Sequence, residues 1–321
     1  MHPPRPLPEA IGEGPFSRRA ALDAGVTDRR LRASDLVAPF HGVRALATTE
    51  PTVASLAAAY QTRMHPDHAF SHSTAAMLLS LPLPSRFTPW PLHISCRAPR
   101  RPPQGRGVQG HEVRGELWAT DHVVLDLQPD GFFAFPLTAG WLTWLSLARE
   151  LQLADLVALG DAMLTAGRAT VEGLEKAVCQ WGGGRGAARA RAALPMLVPG
   201  AMSRPETLLR LQMIAAGLPV PRVNAPVHDR SGRLVFRPDL SWPEYRVLAE
   251  YEGDLHRTSR AKFRSDIDRM EEFADAGWTW LRCTGRDVFG APDRFLGRLH
   301  RRLVERGMPP RRLRSVAAAL P

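Results

Sequence analysis

The chain reads as an α/β protein, α+β overall, with a mixed sheet in its last third. Three observations predict this. Hairpin strands flanked by helices fill residues 196–310, and a final strand returns after a helix, the pattern of a small α/β sandwich. The composition is that of a folded protein, with 44% hydrophobic and 23% charged residues, which excludes wholesale disorder. At 321 residues the chain has room for two or three domains of roughly 100–200 residues, each with its own core.

Other classes fall away quickly. No apolar run reaches the roughly 18 residues that a membrane span needs, and MHPPRPLPEA lacks a signal-peptide core, so a soluble cytoplasmic protein with no membrane partner is expected. Cys96, Cys179 and Cys283 stand too far apart for a disulfide framework or a zinc motif. The net charge of +10 comes from 42 basic and 32 acidic residues, and only Lys176 and Lys262 among the basic ones are lysine. Part of this arginine excess is composition bias. A surface so rich in guanidinium still favours polyanions such as nucleic acid.

The first region, residues 1–60, opens with a Pro-rich lead. Ser17–Ala24 reads as a short helix stopped by Gly25, and Thr27 can cap a second helix over DRRLRASD. LVAPFHGVRAL then alternates like a small hairpin. Helix, turn, arginine-rich helix and hairpin make a winged helix-turn-helix, in which Arg29, Arg30 and Arg32 face DNA. The alternative is a solvated basic helix face.

Residues 61–195 form a mixed α/β middle region. SHSTAAMLLSL is an apolar helix ended by Pro82 and Pro84, LHISC and HVVLDL are strands, and residues 141–164 carry apolar side chains at helical spacing throughout. His65, His68 and His72 are spaced like metal ligands, but Pro66 and a helix start after Ser71 separate them, so surface and helix-capping roles are the expectation. The GGGRG run at residues 182–186 follows no strand and precedes no Gly-Lys-Ser/Thr, so it reads as a linker and not a phosphate loop.

The third region, 196–310, followed by a tail at 311–321, predicts helix Arg204–Ala216, strands Arg222–His228, Leu234–Leu240 and Val247–Tyr251, helix Arg260–Ala276, strand Trp278–Cys283 and helix Pro292–Glu305. Two adjacent strands carry acids. Asp239 follows Arg237-Pro238, and Glu250 and Glu252 share one face of the next strand. The turn SWPEYR lets the two strands pair antiparallel and brings Asp239 beside Glu250.

Like charges at ~4 Å cost about 1 kcal/mol per pair in water and about 4 kcal/mol at an effective dielectric near 20, so protonation, arginines or a divalent cation must offset them. Oxygen ligands on strand ends suit Mg²⁺. The alternative is that these acids lie on a solvent face, paired to Arg237 or Arg246. Trp242, Trp278 and Trp280 either stack on a base or fill the core.

These residues resemble the PD-(D/E)XK nuclease core, in particular its very-short-patch-repair-endonuclease-like branch. The resemblance rests on Pro238-Asp239, Glu250-x-Glu252, Ser203-x-x-Glu206, RPDLSWP, VLAEYEG, His256, Phe263, Asp266, Arg269 and GWTWLR ending at Arg282. It covers most of residues 200–305 and implies a restriction-endonuclease-like sandwich. The first 180 residues look like the AbiEi-type antitoxin module. The matching parts are the helix-turn-helix start, HGVR at 41–44, SHSTAAMLLSLPLP and the run from Pro136 to Leu164.

The resemblance implies a Mg²⁺-dependent DNA endonuclease or nickase, with Mn²⁺ able to substitute. Asp239 and Glu250 would be metal ligands, and the Tyr251 carbonyl a third oxygen. Glu252 stands where the family usually has lysine; it would act as general base or help to hold a second metal. His256 is an alternative base. Glu206 is either a first-helix catalytic acid or the N3 residue of a capping box begun by Ser203. Arg269 and Arg282 would contact DNA phosphate, although Asp266 and Arg269 also suit a helix-surface pair. The implied partners are DNA and a cognate toxin or another defence or repair protein. The alternative function is a non-catalytic DNA-binding regulator of type IV antitoxin kind. Residues 201–321 hold 22 basic and 15 acidic residues, so most of the charge excess lies with the carboxylates.

Overall fold

The computed structural model describes residues 4–12, 14–128, 130–228, 234–253, 273 and 275–316. They fall into two compact units, Met1–Arg149 with Glu175–Ala187 and Glu150–Leu174 with Ala188–Pro321.

The first unit begins with β1 (Phe16–Ser17) and α1 (Arg18–Asp23), which starts where the Ser17 hydroxyl accepts the Ala20 N–H at 3.1 Å. α1 ends before Gly25, whose φ of +81° suits a residue without Cβ. β2 (Leu36–Val37) and β3 (Val43–Leu46) form the expected hairpin, and β1 adds to it antiparallel in the order β1-β3-β2. Phe16, Ala21, Val26, Leu31 and Leu36 make the small core beneath. The helix expected over DRRLRASD is a single 3-10 turn, Arg30–Arg32. Leu31 is its one buried side chain, so no apolar stripe sustains a longer helix.

The rest of this unit is a six-stranded mixed sheet. α2 (Val53–Gln61) is capped by Thr52 and buries Leu56 to Tyr60. β4 (His68–Phe70), α3 (His72–Leu78), β5 (Leu92–Arg97), β6 (Gln104–Gly105), β7 (Val108–Val113), β8 (Thr120–Asp126) and β9 (Phe132–Thr138) follow, in the sheet order β6-β7-β5-β4-β9-β8. Phe70, Leu92, Ile94, Phe135 and Leu137 pack with α2 to form its core.

The helical run expected at 141–164 is two helices, α4 (Gly140–Leu147) and α5 (Leu153–Thr165), and the boundary between the units falls between them. Both are apolar on nearly every side, so the spacing of hydrophobic residues carries no mark of the break. α6 (Val171–Trp181) and α7 (Ala187–Ala193) flank the glycine-rich 182–186 segment, which links two helices as its composition suggests.

In the second unit, α8 (Arg204–Ala215) is clamped to α5 through a buried ion pair. The Asp161 carboxylate accepts from Arg210 Nη2 at 2.7 Å, Thr207 Oγ1 at 2.9 Å and the Val198 N–H at 2.7 Å. The expected strand Arg222–His228 divides into β10 (Arg222–Val223) and β11 (Val227–His228), broken at Asn224 with φ +43°. Likewise, β12 (Leu234–Phe236) and β13 (Leu240–Trp242) replace the single strand expected over Leu234–Leu240.

β14 (Val247–Glu252) and β15 (Thr279–Thr284) complete a mixed sheet ordered β10-β13-β14-β15. α9 (Pro292–Glu305) covers its core with Phe295, Leu296, Leu299 and Leu303. Trp242 is fully buried, with its indole N–H on the Pro219 carbonyl at 2.9 Å, so it belongs to the core and not to a base-stacking surface. Most of the helix expected at Arg260–Ala276 lies outside the described residues. Among the described residues, no helix is long and apolar enough to cross a membrane.

Candidate functional site

The acids of the last region meet because of one strand register. β13 pairs antiparallel with β14, Leu240 against Ala249 and Trp242 against Val247, which sets Asp239 opposite Glu250. The link between the strands is a 3-10 turn, Pro243–Tyr245, closed by Arg246 at φ +51°. Val247, Leu248 and Ala249 are buried, whereas Glu250, Tyr251 and Glu252 are only partly so. The strand thus leaves the core where its carboxylates begin. β15 runs parallel on the other side and places Arg282 beside Glu250.

Hydrogen bonds fix Asp239 in place. Its Oδ2 accepts the Tyr251 N–H at 2.8 Å, and its carbonyl accepts the Asn224 N–H at 2.9 Å. Glu252 faces Arg282, with Oε2 and Nη1 3.7 Å apart, and the Arg282 guanidinium lies 4.5 Å from the centre of the Trp280 ring. Arg246 donates to the Ala276 carbonyl at 3.3 Å, so that hydrogen bond holds it to the turn before β15. Burial, with Asp287 and Asp239 nearby, pushes the Cys283 thiol up and keeps it protonated.

The three carboxylates do not form one tight cluster. Among the described residues, the group of three such side chains with all donor atoms within 4.8 Å is His72, His93 and His111. Alternate residues of a strand are roughly 6.6 Å apart along its axis, and Glu252 is drawn toward Arg282. Spacing and the Arg282 guanidinium therefore relieve part of the mutual repulsion expected of three close acids. Asp239 and Glu250 remain opposed on neighbouring strands, a pair of hard oxygen donors whose chemistry fits Mg²⁺ completed by water or phosphate.

Glu206 is 7% exposed, and the structure places it as a brace. Its N–H lies 3.4 Å from the Ser203 hydroxyl, and its Oε2 accepts from the Met202 N–H at 2.9 Å and from Asn224 Nδ2 at 3.4 Å. This is the capping reading, with the carboxylate reaching one residue further back than the usual box. Asn224 then connects Glu206 to the backbone of Asp239. The sequence reading ran a strand through Asn224 and missed this link; an asparagine just before Ala-Pro was the available signal, since Asn tolerates positive φ.

His256, Phe263, Asp266 and Arg269 lie outside the described residues. Arg30 is held by both oxygens of Asp35, at 2.9 and 2.7 Å, while Arg29 and Arg32 are exposed. Arg32 donates to the Asp28 carbonyl at 3.2 Å. His65 and His68 have ring centres 5.4 Å apart, but His72 joins two other histidines instead of completing that trio.

No family model matches the chain. It is similar to two proteins of Mycobacterium tuberculosis, "Uncharacterized protein MT2308" of strain CDC 1551 / Oshkosh and "Uncharacterized protein Rv2248" of strain ATCC 25618 / H37Rv. Each is 34% identical over 166 residues, which is 52% of this chain and 61% of the relative. The chain thus spans under two thirds of the curated relatives it matches.

Proposed function

We propose that the protein is a Mg²⁺-dependent DNA endonuclease or nickase. The observation that carries this reading is the register setting Asp239 opposite Glu250, with Arg282 on the adjacent strand, where the sheet emerges from its core. Asp239 and Glu250 would hold the ion. When bound, Mg²⁺ polarises the scissile phosphate and acidifies a coordinated water. The Tyr251 N–H holds Asp239 in one orientation, and two strands of a buried sheet hold the carboxylates at a fixed separation.

Glu252 cannot supply the positive charge that lysine gives the family. Arg282 compensates, because a guanidinium beside the acids offers two parallel donors to a phosphate oxygen pair. Glu252 accepts a proton from the attacking water, while Arg282 stabilises the charge growing on phosphorus oxygens. The basic excess of residues 201–321 then draws the DNA backbone to the site.

Supercoiled plasmid incubated with the full chain and Mg²⁺ tests this. Nicked or linear product is expected from the wild type and at least about 100-fold less from Asp239→Asn, a loss typical when a positioned catalytic group is removed. No product from the wild type, or equal product from the variant, overturns the assignment.

A second reading, a non-catalytic DNA-binding regulator, is favoured by one observation: Glu252 replaces lysine and is paired with Arg282. It predicts duplex binding that survives Asp239→Asn, no cleavage, and a salt slope reduced by about one for each of Arg29→Ala and Arg32→Ala.

A further inference from the structure

Three histidines far apart in sequence converge in the first unit. The register of β5 and β7 pairs His93 with Gln109 and Ser95 with His111, so His93 and His111 stand on one face of neighbouring strands. The start of α3 is tied to the same strand: the Ser71 N–H donates to the His93 carbonyl at 2.9 Å, and Thr74 Oγ1 accepts the His93 N–H at 2.8 Å. This brings the His72 ring within 3.8 Å of the His111 ring, centre to centre. His93 Nδ1 and His111 Nε2 are 3.0 Å apart, and one nitrogen of each of the three rings falls within 4.8 Å of the others.

A simple core role does not account for the arrangement. Histidine is a poor filler, and three polar rings sit together where aliphatic side chains would pack at lower cost. His72 also holds φ at +50°, a left-handed conformation that costs a non-glycine residue about 1–2 kcal/mol. Such strain persists where the surroundings over-determine it, commonly at functional positions. Burial, together with the neighbouring histidines and Arg149, keeps His72 well below the usual imidazole range and brings His111 down to about 4. At neutral pH the rings therefore present lone pairs, the form in which imidazole ligates metals.

We propose that His72, His93 and His111 form a binding site for one divalent transition metal of the Zn²⁺ class, separate from the carboxylate pair. Imidazole nitrogens without carboxylates suit Zn²⁺ and not Mg²⁺ or Ca²⁺. Zn–N bonds of about 2.0–2.1 Å in a tetrahedron put ligand nitrogens about 3.4 Å apart, so the near-parallel rings, with nitrogens now within 4.8 Å, must rotate to converge on one ion. The proton now shared between His93 and His111 moves to the outer nitrogen of its ring, and no proton need be lost. Three histidines leave a fourth position open.

The test uses the full chain, freed of metal by chelator and titrated with Zn²⁺ alone. One equivalent should bind, and ring-nitrogen NMR of the wild-type chain should show three of the eleven histidines shifting. Those three should disappear one at a time from the metal-shifted set in His72→Gln, His93→Gln and His111→Gln, with affinity falling at least about 100-fold. No binding, or shifts confined to His65, His68 and other rings, overturns the proposal. Through-bond assignment of the wild-type ring nitrogens identifies the shifting histidines even where a variant fails to fold, and this readout does not depend on DNA cleavage.

Discussion

Asp239 has two separable duties, and two substitutions at the one position divide them. Its Oδ2 satisfies the partly buried Tyr251 N–H at 2.8 Å. Asp239→Ala leaves that donor without its carboxylate partner, at a cost of about 1–3 kcal/mol. In a unit of this size, each kcal/mol lowers Tm by about 2–4 °C, so the drop should fall between about 2 and 12 °C. Asp239→Asn retains an amide oxygen in the same place and forfeits only the charge assistance, so it should cost under about 1 kcal/mol. Both variants lose the anionic ligand, and plasmid cleavage should vanish in each. The assays are thermal unfolding by circular dichroism without metal and nicking with Mg²⁺. Equal Tm values for the two variants would refute the hydrogen-bond role. Cleavage retained by Asn but not by Ala would show that position 239 acts through folding alone.

Other outcomes follow from the same contacts. Arg210→Met should lower stability by about 3–5 kcal/mol in denaturant unfolding, because it strands the fully buried Asp161; a loss below 1 kcal/mol would show that the clamp is not formed. Glu206→Gln keeps an acceptor for the Met202 N–H and should cleave at no less than about half the wild-type rate, whereas complete loss of cleavage would move Glu206 from brace to catalyst. Asp293 accepts from the Ser315 hydroxyl and the Val316 N–H, which hold its carboxyl below the usual range. A depressed folded value means that the contact stabilises above the unfolded carboxylate range and is lost as pH falls through the folded value. Hydrogen exchange at the Val316 amide should therefore gain protection as pH rises through acid, after correction for intrinsic rates.

Much of the C-terminal architecture was readable because its signals are local. The alternation around Val247–Glu252 and the turn before it were enough to predict the antiparallel pairing, and hence Asp239 opposite Glu250. The helix expected at Pro292–Glu305 was equally plain, and α9 has those bounds, with Phe295, Leu296, Leu299 and Leu303 buried at helical spacing. What stayed hidden depends on contacts distant in sequence. The break between α4 and α5 leaves no mark in two helices that are apolar nearly all round. The 3-10 turn at Arg30–Arg32 replaces a helix because Asp35 takes Arg30 and Leu31 alone is buried.

The histidines show the same limit from the other side. His65, His68 and His72 attract attention by proximity along the chain, yet the parallel pairing of β5 with β7 is what gives His72 its partners. No spacing rule links positions 72, 93 and 111.

The proposed nuclease activity stands on two opposed carboxylates as a cation site for phosphodiester chemistry. A crystal structure of the full chain soaked in Mn²⁺, with the metal located by its anomalous scattering, tests it most directly. If Asp239 and Glu250 hold a cation, a peak lies between them, with the Tyr251 carbonyl within ligand range. An Arg282 guanidinium lying across the two acids, with no metal peak, would contradict it.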